Sequence, residues 1–282
     1  MLLKKIKFIL IFLIFYQTQV YSKSVSLSRF ETKNISNYFS GIIAFENKNN
    51  SDALDFFNSS KVLMDYHEEY LKRYTFSLVL EKKVPTAINV LKKNKKNNGA
   101  DFFEKYLILV IDSLKRNDFD EADNYLSLAS DYVENDRLNL AIVETINQYI
   151  FVFKEKRILK SDKNSSNLSL IAETFQRCYL NDDQTGASFS NLINNYSQID
   201  YTRYLYFYLS YLIENQRFDE ANVAVENIEY INSTLLLSQG KNWIENGNFK
   251  EFSKIFSCKN HNHIISEFLF LISNLYSSQG YI

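Results

Sequence analysis

The chain has 282 residues, 46% of them hydrophobic and 23% charged, which is the composition of folded protein and excludes wholesale disorder. Its 32 basic and 33 acidic side chains nearly cancel, leaving no basic excess to draw it to nucleic acid. With 6 Gly and 1 Pro the chain lacks the residues that make tight turns and interrupt strands, so an all-α fold is expected, with Asn and Ser serving as caps and turns.

The first segment, "MLLKKIKFILIFLIFYQTQVYS", places Lys4, Lys5 and Lys7 before the apolar run Phe8 to Tyr16 and then turns polar. That is the layout of a secretory signal peptide over residues 1–22, with Val20 and Ser22 positioned for cleavage before Lys23. The apolar core of about 9 residues is short of the ~20 needed to span a bilayer, so an uncleaved membrane anchor is the alternative and a soluble exported chain the expectation. No Cys precedes Cys178, which removes a lipid-modified cysteine at the cleavage site. Loss of the three lysines leaves 29 basic against 33 acidic residues.

A lead-in over residues 23–33 precedes a recurring decamer. "AFENKNNSDA" (Ala44 to Ala53), "LVLEKKVPTA" (Leu78 to Ala87), "SLKRNDFDEA" (Ser113 to Ala122) and "LIENQRFDEA" (Leu212 to Ala221) share one pattern, a polar turn closed by a small residue. "CYLNDDQTGA" (Cys178 to Ala187) and "WIENGNFKEF" (Trp243 to Phe252) are weaker copies. The final alanines fall 34, 35, 65 and 34 residues apart, and the interval of 65 is read as two units with one degenerate unit near Asp136 to Lys160. A small residue lets two helix backbones approach, and large residues on the i, i+3, i+4, i+7 face fill the space between them. Gly41, Ala53 and Phe57 do this in the first unit. Leu71, Tyr74, Thr75, Leu78, Ala87 and Leu91 do it in the second, and Tyr106, Leu109, Val110, Ala122, Leu126 and Ala129 in the third. The last clear unit uses Leu205, Tyr208, Leu209, Leu212, Ala221 and Val225.

On these residues the chain resembles the tetratricopeptide repeat family, as an exported bacterial member. The resemblance implies an all-α solenoid of stacked antiparallel helix pairs winding into a right-handed superhelix. It places an N-terminal array over 34–157, a polar break or hinge at 158–168 ("ILKSDKNSSNL") and a C-terminal array over 169–282. The chain ends on "LYSSQGYI", the start of a decamer with no second helix after it. Either the native chain continues past Ile282, or the apolar helix "IISEFLFLISNLYSSQ" docks on something else, a copy of the same chain included.

Chemistry is thinly represented. No phosphate-cradling glycine loop, Gly-flanked serine, His-Glu-x-x-His or Cys-x-x-Cys motif occurs, so the chain is expected not to be an enzyme and to need no cofactor. Cys258, His261 and His263 in "CKNHNH" offer three ligand types without a fourth and are read as turn residues, with no metal expected. Cys178 and Cys258 are free to pair in an oxidising compartment, but they lie in repeats that stacking should keep apart, so no bond is expected. The basic run "KKNKKNN" (Lys92 to Asn98) is read as a soluble helix end.

The remaining expectation is an interaction scaffold. First helices of successive units would line a concave groove with Ile42, Phe45, Lys72, Phe76, Val79, Leu107, Ile111, Arg203, Tyr206 and Ser210, an apolar surface for a protein or peptide partner. In the aromatic stretch "YTRYLYFYLSYLIENQRFDEA", Tyr201 to Ala221, most rings are assigned to core and Tyr206 alone to partner contact. The expected location is the periplasm. A cell-wall enzyme on a helical superhelix and a lipid-handling protein with a closed apolar cavity are the alternatives.

Overall fold

The computed structural model describes residues 31–64, 67–94, 101–133, 136–160, 167–194, 202–226 and 235–278. The signal peptide and Lys95 to Asn98 of the basic run therefore lie outside the described residues, as do 161–166 of the polar break. Within them the chain is all-helical, built largely from neighbouring helices packed in pairs, and contains no strand. Contacts divide it into two units, residues 1–100 and 101–282. Residues 158–160 of the break lie inside the second unit, where the Gln176 amide holds the Leu159 backbone by two hydrogen bonds of 2.8 and 3.1 Å.

In unit 1, α1 (Thr32–Glu46) packs on α2 (Asn50–Ser59), and α3 (Glu68–Leu80) packs on α4 (Val84–Lys93). Their shared core contains Tyr38, Ala53, Leu54, Phe57, Tyr70, Tyr74, Leu78 and Ala87. The Tyr38 and Tyr70 rings stack 5.3 Å apart, Phe57 meets Tyr70 edge-on, and the Tyr70 hydroxyl donates to the Phe57 carbonyl. Gly41 is where α1 and α2 approach, since a Cβ there would fall 2.9 Å from the Phe57 ring.

In unit 2, α5 (Phe103–Lys115) pairs with α6 (Phe119–Ser130), followed by the single 19-residue helix α7 (Arg137–Glu155). Two further pairs come next, α8 (Asn167–Leu180) with α9 (Thr185–Asn194) and α10 (Thr202–Glu214) with α11 (Phe218–Glu226), followed by α12 (Leu235–Glu245) and the short α13 (Lys250–Ile255), each packed on α10. Helix α14 (His261–Ser278) closes the described chain. The fourth unit expected near Asp136 to Lys160 is thus one helix and not a pair. Asp136 caps it by accepting from the Leu138 and Asn139 amides, and Ile142, Ile146, Tyr149, Val152 and Phe153 bury one face without any turn between them.

The decamer has a backbone counterpart. Lys48, Lys82, Asn117, Asn181, Gln216 and Gly247 all have positive φ, between 54° and 68°. In each copy the following residue's N–H returns to the carbonyl five residues earlier, as in Asn49 to Ala44 at 2.9 Å, Asp118 to Ser113 at 2.9 Å and Asn248 to Trp243 at 2.7 Å. The left-handed residue's own N–H reaches the carbonyl three residues back. This paired closure of the last helical turn is the Schellman arrangement, and it satisfies carbonyls that a helix end leaves open. Asn49 and Asp118, next in line, then cap the following helix through their side chains. One register differs from expectation. The copy in α8 and α9 starts at Arg177, since Asp182 N–H bonds Arg177 O, and the tenth position belongs to Gly186, which faces Tyr208, while Ala187 is exposed.

Candidate interaction surface

Helix α14 follows the link Phe256–Asn260 and packs back on the first helix of the unit, α5. At its start the His261 Nε2 lies 3.1 Å from the Leu114 carbonyl at the end of α5, with its ring edge-on to Phe119 and Phe153. Burial holds this imidazole below its ordinary pKa, the Leu114 carbonyl opposes the shift, and the Lys156 charge adds to it. About two turns further on, Phe268 meets Tyr149 of α7 edge-on at 5.7 Å. Near the other end the Tyr276 hydroxyl donates to the Asn139 side-chain oxygen at 2.9 Å.

The charged contact is Glu267, 3% exposed, against Arg203 of α10, 35% exposed. Arg203 Nε lies 2.8 and 3.0 Å from the two carboxylate oxygens, and the guanidinium sits over the rings of Phe207 and Phe270, at 5.2 and 4.2 Å. Such a fork on a carboxylate fixes direction as well as charge. Glu267 is the sole acidic residue in α14, a lone carboxylate in an otherwise apolar and polar-neutral helix. That isolation in the sequence is the signal from which its cationic partner could have been inferred.

The face assembled from α5, α7 and α10 is therefore covered by the chain's own helix, and three expected groove residues are reassigned. Tyr206 is completely buried, stacked 5.3 Å from Phe252 and pressed against Gly240, where an added Cβ would lie 3.1 Å from its ring. Ser210 is buried and donates to the Phe256 carbonyl at 2.7 Å. Arg203 is engaged by Glu267. Leu107 and Ile111 of α5 are half-buried. In unit 1, Ile42, Phe45 and Val79 are half-buried along the edge of the core, while Lys72 Nζ sits 5.7 Å from the centre of the Phe76 ring. On α1, Phe39 and Ile43 lie one turn apart and are 58% and 63% exposed.

The expectation of unpaired cysteines is overturned. Cys178, at the end of α8, and Cys258, in the link before α14, form a disulfide with Cα atoms 5.6 Å apart. The premise that they lie in repeats held apart fails because α12, α13 and the link fold against α10: Phe256 packs on Phe207 at 4.3 Å and on Phe175 of α8 at 5.6 Å, which carries Cys258 to Cys178. The three residues of "CKNHNH" are accordingly all engaged, His263 Nδ1 accepting from the Ser257 amide at 3.0 Å. Among the described residues no group of three or more His, Cys, Asp or Glu is placed to hold a metal ion, and no helix is long and apolar enough to cross a membrane.

No family model matches the chain, and neither curated proteins nor solved structures yield a match.

Proposed function

We propose that this chain is a non-enzymatic, exported interaction scaffold made of tetratricopeptide-like helix pairs, which holds a protein or peptide partner on unit 1. The observation that carries the reading is the pair Phe39 and Ile43, more than half exposed one turn apart on α1 and continuous in sequence with half-buried Ile42. Single exposed apolar residues are ordinary, but a stripe of them on one helix marks a surface that gains by being covered. The repeat reading is supported by the Schellman turns spaced 34 and 35 residues apart at Lys48, Lys82 and Asn117, and 35 apart at Asn181 and Gln216. The Cys178–Cys258 bond supports an oxidising compartment, in keeping with export to a periplasm.

The test uses the mature chain as bait against the native envelope fraction. Replacing Phe39 and Ile43 together by Asp should abolish capture of a specific partner while leaving the melting temperature within a few degrees, because neither side chain contributes to the buried core. Capture that survives the double substitution removes unit 1 as the binding surface.

A further inference from the structure

We infer that the seating of α14 is conditional on oxidation: forming Cys178–Cys258 latches this helix onto the face of α5, α7 and α10, and the dithiol form leaves it able to come away. The inference stands on contacts within unit 2 and not on the partner reading above.

Three observations lead to it. First, the helices beneath α14 have other partners. Helix α5 packs on α6, α7 on α6 and α8, and α10 on α9, α11, α12 and α13, so α14 is an added layer and not the element that holds them together. Second, it is attached by one face only: Ile264, Ile265, Phe268 and Ile272 are buried there, with His261 at Leu114, Glu267 at Arg203 and Tyr276 at Asn139 beside them, whereas Ser266, Leu269 and Ser273 along the other side are exposed. A helix that covers others and is itself uncovered on its outer side can open without unfolding what lies beneath it. Third, Cys258 stands three residues before His261, so the disulfide fixes the point about which the helix would swing and raises its effective concentration at the face.

The chemistry balances with a disulfide oxidant of the compartment. The thiolate of one cysteine attacks the oxidant, forming a mixed disulfide and releasing one thiol; the second cysteine displaces the other, so that two thiols in the chain become one S–S bond as the oxidant becomes two thiols. Both cysteines are buried once α14 is seated. The bond is consequently out of reach of a soluble dithiol while the chain around it stays folded.

The full chain is compared in three forms: oxidised, kept reduced from purification onward with dithiothreitol, and as the Cys178→Ser/Cys258→Ser double variant. Hydrogen exchange read by mass spectrometry follows peptides from 261–278 against those from 137–155 and 202–214. The expected result is exchange at least ~10-fold faster in 261–278 for the reduced chain and the variant, with α7 and α10 still protected. Added dithiothreitol should act on the folded oxidised chain far more slowly than on the same chain in urea. Unchanged exchange in 261–278 overturns the inference, as does a gain there no greater than that over 137–155 and 202–214, since the general loss of stability on removing the bond then accounts for it. An intact mass showing both thiols in the air-oxidised chain overturns it too. The reduced wild type keeps the test decisive should the variant not fold.

Discussion

Tyr206 carries a hydroxyl that is buried with no hydrogen-bond partner among the described residues, on a ring that fills the space left open by Gly240. Stranding a polar group costs about 1–3 kcal/mol, so Tyr206→Phe should be neutral or raise stability by up to about 1 kcal/mol, while Tyr206→Ala should lower it by about 3–5 kcal/mol. Urea denaturation of the two variants checks this ordering. Burial also raises the phenol of Tyr206, with Tyr70 and Tyr149, above the ordinary 10.0. The unfolded chain therefore releases these protons first. Stability is complete below pH 10 and should fall above it by about 1.4 kcal/mol per pH unit for each tyrosine still protonated in the fold. A flat urea midpoint between pH 9 and pH 11.5 would contradict this. At Gln216 the backbone has φ of 59°, a region that costs a side chain about 1–2 kcal/mol, so Gln216→Gly should stabilise unit 2 by several tenths to about 1 kcal/mol after the added freedom of the unfolded chain is offset.

The pairing of α14 with α10 has a built-in asymmetry. Glu267 is nearly inaccessible and Arg203 is one-third exposed, so deleting the arginine strands a buried carboxylate while deleting the carboxylate leaves a cation that water reaches. Arg203→Ala should cost about 3–5 kcal/mol and Glu267→Ala about 1–2 kcal/mol, measured by thermal unfolding. Much of the element order was legible beforehand because the small residue after a polar turn has one physical use. Ala53, Ala87, Ala122 and Ala221 are all fully buried where their helices approach. The register at Gly186 was hidden because the adjacent Ala187 is equally small, and only the hydrogen bond from Asp182 to Arg177 separates the two. Helix α7 was misread for a related reason. Spacing counts residues but does not show whether a turn lies among them, and Lys156 ends that helix with a left-handed residue followed by irregular chain over 157–160 and not directly by a second helix. Tyr206 went wrong because assigning a groove from helix phase alone ignores a later helix returning to fill it, and the same omission hid the disulfide.

Taken whole, the molecule places both cysteines and its single tryptophan, Trp243, in the second contact unit, so indole fluorescence reports that unit alone. A bond spanning 80 residues removes about 4.5 kcal/mol of loop entropy from the unfolded state. Reduction should accordingly lower the urea midpoint followed at Trp243 and leave the transition of unit 1, followed by exchange of 68–80, unchanged. The distances in sequence across α14 carry a last implication, for how the chain is made. His261 and Leu114 are 147 residues apart, and Tyr276 and Asn139 are 137 apart, whereas helices within a pair meet across a turn of a few residues. During vectorial synthesis, at roughly 5–20 residues per second, the face of α5 and α7 would stand uncovered for roughly 7–30 seconds before its own helix emerges. In that window a chaperone reading amphipathic helices would find a vacant seat of the right shape, so the nascent chain has a binding partner to avoid before the finished one has a partner to find.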